Sequence, residues 1–219
     1  MVFVESYSLP PVNPSEVFRY AACPSVGEAE SSLLAQCLSE ADCALRAQVC
    51  WANFPISLTD TCLDLSFAKT DASALRRHLS GCESVILFAA TIGLGIDRLI
   101  ARYSRLSPAR ALLFQALGAE RIECLCDVFC ADMRQRLAQN GKHLTKRFSP
   151  GYGNLPLTLQ TDIFRALDCP RTIGLSLTDS LLMMPSKSVT ALIGVSVSPT
   201  VPFPDGCTVC KKTDCNFRG

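Results

Sequence analysis

Apolar positions along the chain fall into two rhythms, one of three to four residues and one of short alternating or continuous runs. From 28 to about 46, Leu33, Leu34, Cys37, Leu38, Ala41 and Leu45 recur at helical spacing and predict an amphipathic helix. Residues 49–58 and 63–67 alternate or cluster apolar side chains and predict strands, and 73–79 predicts a short helix. The run Val85, Ile86, Leu87, Phe88, Ala89, Ala90 within 84–90 reads as a buried strand. Thr91-Ile92-Gly93-Leu94-Gly95 then turns the chain into a further helix near 97–103. Residues 157–167 predict a helix, and 173–177 and 189–197 predict strands separated by Met183-Met184-Pro185-Ser186-Lys187-Ser188.

The strongest local signal is a long helix from about 107 to 139. Ser107 is a good N-cap residue, Pro108 suits the first helical position, and Asn140-Gly141 supplies a stop. One face carries Leu113, Leu117, Leu125, Val128 and Phe129; another carries Ala116, Ala119, Glu123, Cys126 and Cys130. The second face sets small residues around one carboxylate, so another group can approach it closely. On spacing alone, a second helix packed there with Glu123 near its edge accounts for it equally well.

Strands and helices do not alternate strictly, which favours an α+β fold with a mixed or antiparallel sheet around that long helix. Residues 1–25 hold several prolines and little periodicity and read as an extended arm. A single domain is expected over 26–198. Pro199, Pro202 and Pro204 mark a linker, and 199–219 ends in a cysteine-bearing tail.

Composition narrows the function classes. Lys plus Arg number 21 against 20 for Asp plus Glu in 219 residues, a net charge of +1. That leaves no basic excess to neutralise phosphates, which argues against a nucleic-acid partner. The N-terminus shows neither a basic n-region nor a long apolar h-region, and the run at 85–90 is far too short to span a bilayer. A cytoplasmic protein with no membrane partner is the expectation. Thirteen cysteines, an odd number, cannot all pair within the chain, and most lie in apolar segments where Cys acts as a small hydrophobe. Free thiols are therefore expected.

The segment Arg147-Phe148-Ser149-Pro150-Gly151-Tyr152 gathers residue types that can contact a ligand. An arginine fork pairs with a carboxylate, a Pro-Gly step sets a tight turn with accessible backbone, and Tyr152 adds a flat face with a polar tip. Taken alone, such residues are also an ordinary turn. Downstream lie Ile173-Gly174-Leu175-Ser176-Leu177-Thr178-Asp179-Ser180, Met183-Met184-Pro185 and Ser188-Val189; upstream lie Phe88-Ala89-Ala90-Thr91-Ile92-Gly93-Leu94 and the helix bearing Glu123. In this order and spacing, over roughly 84–196, they resemble the C-terminal activation domain of cobalamin-dependent methionine synthase.

The resemblance implies S-adenosylmethionine binding and support for reductive methylation of cob(II)alamin, here by a stand-alone reactivation module. It implies ligand contacts from Arg147 and Tyr152, backbone contacts at Ser149 and Gly151, and a nearby acid, Glu123. A further acid that the family places toward the start of the domain has no counterpart. The Asp-x-His-x-x-Gly cobalamin signature is absent, and the two histidines, His78 and His143, read as surface residues rather than cobalt ligands. Cobalamin is therefore expected on a partner methyltransferase subunit, and the electron from a separate reductant such as flavodoxin or ferredoxin. Two alternatives stand beside this reading: a non-catalytic module that docks on a corrinoid protein, and an activator of another corrinoid methyltransferase.

The tail spacing Cys207-x-x-Cys210-x-x-x-x-Cys215 is a second candidate site. Three close thiols suit Zn²⁺ or an iron–sulfur cluster, with a fourth ligand from elsewhere.

Overall fold

A computed structural model describes residues 1–23, 25–59 and 61–198. Its elements run β1 (Phe3–Ser6), α1 (Pro14–Tyr20), α2 (Glu28–Ala41), a 3₁₀ turn (Asp42–Ala44), β2 (Gln48–Pro55), β3 (Ser57–Leu58), β4 (Leu63–Asp64), β5 (Lys69–Thr70), α3 (Ser73–His78) and β6 (Ser84–Thr91). There follow α4 (Gly95–Leu106), α5 (Pro108–Ala138), β7 (His143–Leu144), α6 (Leu159–Leu167), α7 (Cys169–Ile173), β8 (Ser176–Leu177), β9 (Met183–Met184) and β10 (Ser188–Ser196). The expected α+β class with an antiparallel sheet and a long helix is what the structure shows.

Five strands form the main sheet in the order β1-β2-β6-β10-β7, every neighbouring pair antiparallel. Side chains alternate across a strand, so β6 divides its apolar run between two cores. Ile86, Phe88 and Ala90 join Val49, Ala191, Ile193 and Val195 beneath α1, α2, α4 and α5. Val85, Leu87 and Ala89 join Cys50, Ala52 and Leu192 beneath α3, α6 and α7. Helices on both faces explain why β6 is buried at every position and reads as an unbroken apolar stretch.

The α5 helix, 31 residues and about 46 Å long at 1.5 Å per residue, spans the sheet. Pro108 occupies its first turn, whereas the Ser107 side chain makes no capping bond. The small-residue face of α5 contributes Ala116, Cys126 and Cys130 to the core that also holds Phe88 and Ala191 of the sheet, and α1 and α4 pack on the same helix.

Residues 1–23, expected as an extended arm, are built into this core. β1 pairs with β2, and α1, capped by Asn13 Oδ1 on the Ser15 amide at 3.1 Å, buries Val17 and Phe18. A buried ion pair within α5 fixes the connecting segment. Arg121 pairs with Glu120 and donates Nη1–H to the Pro10 carbonyl at 2.7 Å, while the Asn13 amide donates to Glu120 Oε1 at 3.1 Å.

Other local expectations also shift. The helix expected over 28–46 stops at Ala41, and the strand expected over 63–67 shortens to Leu63–Asp64. Residues expected as a strand from 173 instead complete α7, which Asp168 (φ 48°) and Gly174 (φ 66°) bracket with left-handed backbone. The separator at 183–188 contributes β9, which pairs with β8. His143 is exposed, but His78, expected at the surface, is buried. No helix among the described residues is long and apolar enough to cross a membrane.

Candidate functional site

After α5 ends, the chain turns at Asn140-Gly141 and returns along the free edge of β10. His143 and Leu144 pair with Ser196 and Val195, and Phe148 exchanges two 2.9 Å hydrogen bonds with Leu192. Thr145 Oγ1 accepts from the Gly194 amide at 2.8 Å. A Cβ at Gly194 would come within 2.5 Å of Cys82 Sγ, so only glycine lets the strand lie this close. Side chains of adjacent residues in extended backbone point to opposite faces. Phe148 packs against His78, ring centroids 5.0 Å apart, and Arg147 is thereby turned toward α5.

His78 holds this segment from behind. Burial pulls its pKa below the usual imidazole value, and Nε2 lies 2.8 Å from the Lys146 carbonyl. A neutral ring with the proton on Nε2 donates to that oxygen. The His78 contact is structural, and sequence spacing gave no signal for it.

The turn beyond Phe148 is closed by its own backbone. Tyr152 N–H donates to the Ser149 carbonyl (3.1 Å), Gly151 N–H to that of Leu155 (2.9 Å), and Leu155 N–H to that of Tyr152 (3.0 Å). Gly151 sits at φ 88°, which glycine adopts without the steric cost of a Cβ. Asn154 Oδ1 accepts from the Ala74 amide at 3.0 Å and ties the turn to α3. These constraints project Tyr152 outward, 70% exposed, with its ring centroid 6.2 Å from that of Phe148.

Glu123, Arg147, Ser149 and Tyr152 line one groove of 270 Å³ together with Val189. Four of the five residues singled out in sequence thus converge; Gly151 shapes the turn instead of facing the groove. Arg147 Nη2 lies 3.1 Å from Glu123 Oε2 and 2.9 Å from Asp127 Oδ1. Asp127, one helical turn beyond Glu123, was missed in the sequence although an i, i+4 pair of acids on a helix shares a face. On the far side of Arg147 a second groove of 330 Å³ is lined by Asp127, Cys130, Arg134 and Lys146. Behind the arginine, burial pushes the Cys130 thiol up to about 11 and Cys126 higher still, so both stay neutral near pH 7.

Larger grooves lie elsewhere. One of 660 Å³ runs between residues 7–12 and α5, but its arginine, Arg121, is already closed by Glu120 and backbone carbonyls. Another, of 670 Å³, lies between α6 and the β8–β9 hairpin. The smaller groove is distinguished by chemistry: a cation and an accessible acid opposed beside a flat aromatic face.

The ten cysteines of the described residues are free thiols. Among those residues no cluster of His, Cys, Asp and Glu is arranged to hold a metal ion. Cys207, Cys210 and Cys215 lie outside the described residues.

A family model described as "Vitamin B12 dependent methionine synthase, activation domain" matches residues 76–200, more than half of the chain. That interval contains Glu123 and the Arg147–Tyr152 turn and ends before the tail cysteines. No curated protein matches the sequence. Among solved structures, one titled "Crystal Structure of the MetH Reactivation Domain bound to AdoHcy" aligns with a TM-score of 0.62. The alignment covers 89% of this chain and 78% of that one at 15% identity, a likeness of fold.

Proposed function

Because the chain belongs to the family of activation domains of vitamin B12-dependent methionine synthase, we propose that it binds S-adenosylmethionine in the Glu123–Arg147–Tyr152 groove. It thereby supports reductive methylation of cob(II)alamin held by a partner methionine synthase. The observation that carries this reading is the convergence of a guanidinium, a carboxylate and an exposed tyrosine face on one groove. A solved relative of the same fold holds AdoHcy, by its title.

The residues present fit such a ligand. Arg147 suits its carboxylate, Glu123 faces the groove as a partner for positive charge, and Ser149 offers backbone groups at the turn. A groove of 270 Å³ falls just below the roughly 300–1,000 Å³ that ligand pockets occupy. It therefore holds part of the molecule, and the Tyr152 face extends the contact surface. When bound, S-adenosylmethionine supplies the methyl group. The protein's own work is to fix the amino-acid end and keep the open side of the groove toward a partner.

Cobalamin and the electron come from other proteins in this reading. The chain has no Asp-x-His-x-x-Gly segment, and His78 is committed to the Lys146 carbonyl. A corrinoid-bearing methyltransferase subunit and a reductant of the flavodoxin or ferredoxin type complete the reaction. The tail thiols Cys207, Cys210 and Cys215 are assigned to Zn²⁺ or an iron–sulfur cluster on their spacing. Metal content after anaerobic purification checks that assignment, and an iron- and zinc-free protein removes it.

The decisive experiment mixes the protein with a cob(II)alamin-loaded methionine synthase lacking its own activation domain, a reductant and methyl-labelled S-adenosylmethionine. Label on the corrinoid only when this chain is present is the expected result. Calorimetric binding without label transfer would leave a ligand-binding docking module, and absence of binding would overturn the assignment of the groove.

A further inference from the structure

The Arg147 guanidinium has too many acids for the job assigned to it. A guanidinium grips a carboxylate bidentately through the Nε–Nη2 or the Nη1–Nη2 edge, and each edge uses one hydrogen of Nη2. Both Nη2 hydrogens are already engaged, one by Glu123 Oε2 at 3.1 Å and one by Asp127 Oδ1 at 2.9 Å. Neither edge is open to a third carboxylate while both contacts persist. A ligand carboxylate can be gripped bidentately only if one acid lets go.

The two acids are not equivalent. The Glu123 side chain is 46% exposed and lines the groove beside Tyr152, whereas that of Asp127 is 73% exposed and lines the groove on the other side of the arginine. A more exposed carboxylate is already largely hydrated, so its ion pair is the weaker of the two and the easier to break. Asp127 also shares its groove with Arg134 and Lys146, so on leaving Arg147 it moves among positive charge. We propose that Asp127 is an internal competitor for Arg147: it occupies the fork in the empty site and is displaced by the carboxylate of the arriving ligand. Asp127 thus sets the affinity for carboxylate-bearing ligands, while Glu123 stays in place. This inference rests on the assignment of S-adenosylmethionine to the Arg147 groove.

The test is calorimetry of the full chain and of Asp127→Asn, with S-adenosylmethionine and with its decarboxylated analogue as probes. Loss of an exposed ion pair worth about 0.2–1 kcal/mol converts to a gain in S-adenosylmethionine affinity of up to about fivefold. No gain is expected for the decarboxylated analogue. A purely electrostatic role has the opposite sign, because removing a negative charge weakens both of these net-positive ligands. Asp127→Ala, which also deletes the carboxylate on an exposed helical position, should repeat the result. Unchanged or weaker S-adenosylmethionine binding in both variants, or an equal gain for both probes, overturns the competitor role alone. Failure of the unsubstituted chain to bind S-adenosylmethionine overturns the site assignment and this inference together.

Discussion

Two arginine–carboxylate groups meet α5 on different sides, and they differ in burial and in how many acids each arginine serves. Arg121 lies on the helix with its side chain 4% exposed, and the paired Glu120 is 7% exposed. Between them they take up the Pro10 carbonyl and the Asn13 amide, so the charges are closed within the protein. Arg147 reaches α5 from the sheet edge, is 26% exposed, and shares a single nitrogen between Glu123 and Asp127. Burial makes the first group a latch for the N-terminal segment. Partial exposure and an excess of acceptors suit the second one to exchange, which the proposed ligand site requires and a latch forbids.

The comparison breaks most visibly in stability. Arg121→Met leaves Glu120 buried without its partner, and breaking a buried pair this way costs about 3–5 kcal/mol. Arg147→Met should cost less than about 1 kcal/mol, the usual worth of a partly exposed pair. Urea denaturation of the two variants measures the difference, and equal losses would mean that the Arg147 group is a structural clamp after all. Adding Glu120→Gln to Arg121→Met should restore part of the loss, since it removes the orphaned charge.

The second contrast is in ligand affinity. A charge-assisted hydrogen bond contributes about 1.5–3 kcal/mol, so Arg147→Ala should weaken S-adenosylmethionine binding by roughly ten- to a hundredfold. Calorimetry on a variant whose urea midpoint is nearly unchanged separates this from unfolding. An unaltered dissociation constant would remove Arg147 from the site.

How much of this was legible in the sequence follows from the range of each interaction. The unbroken run in β6, the proline start of α5 and the Arg147–Tyr152 turn are local, and each was readable. The N-terminal segment was not, because its order depends on Glu120, 107 positions away from Asn13. β8 and β9 have two residues each, too few to show a period of two, and the end of α7 is set by left-handed backbone at Gly174. The site was half legible. Glu123 and Arg147 stood out by type, but the sharing of Nη2 with Asp127 arises only once the sheet edge lies against the helix.

A further arginine, on α5 itself, sharpens the rule: Arg136 meets two acids as Arg147 does, but through all three of its nitrogens, and it serves the structure as Arg121 does. Arg136 bonds Glu5 at 2.8 Å and Asp132 at 2.7 Å, again one guanidinium with two acids. Here other donors absorb the surplus: the Tyr7 hydroxyl lies 2.9 Å from Glu5 and 2.8 Å from Asp132, and Trp51 Nε1–H donates to Glu5 at 2.9 Å. The Arg136 guanidinium, helped by Trp51 and Tyr7 against the cost of burial, holds the Glu5 carboxyl at about 2, below its ordinary 4.5. A depressed carboxylate contributes stability that is complete above its unfolded value and is lost as pH falls toward the folded one. The urea midpoint should therefore decline between about pH 5 and pH 2, with about 1–2 kcal/mol traceable to Glu5 after solvent screening is allowed for. Glu5→Gln should lower the plateau near pH 7 and flatten that decline. If the substitution leaves the acid limb as steep as before, the surplus of acids at Arg136 is no better satisfied than at Arg147, and the number of additional donors, not the number of acids, ceases to separate a clamp from a site.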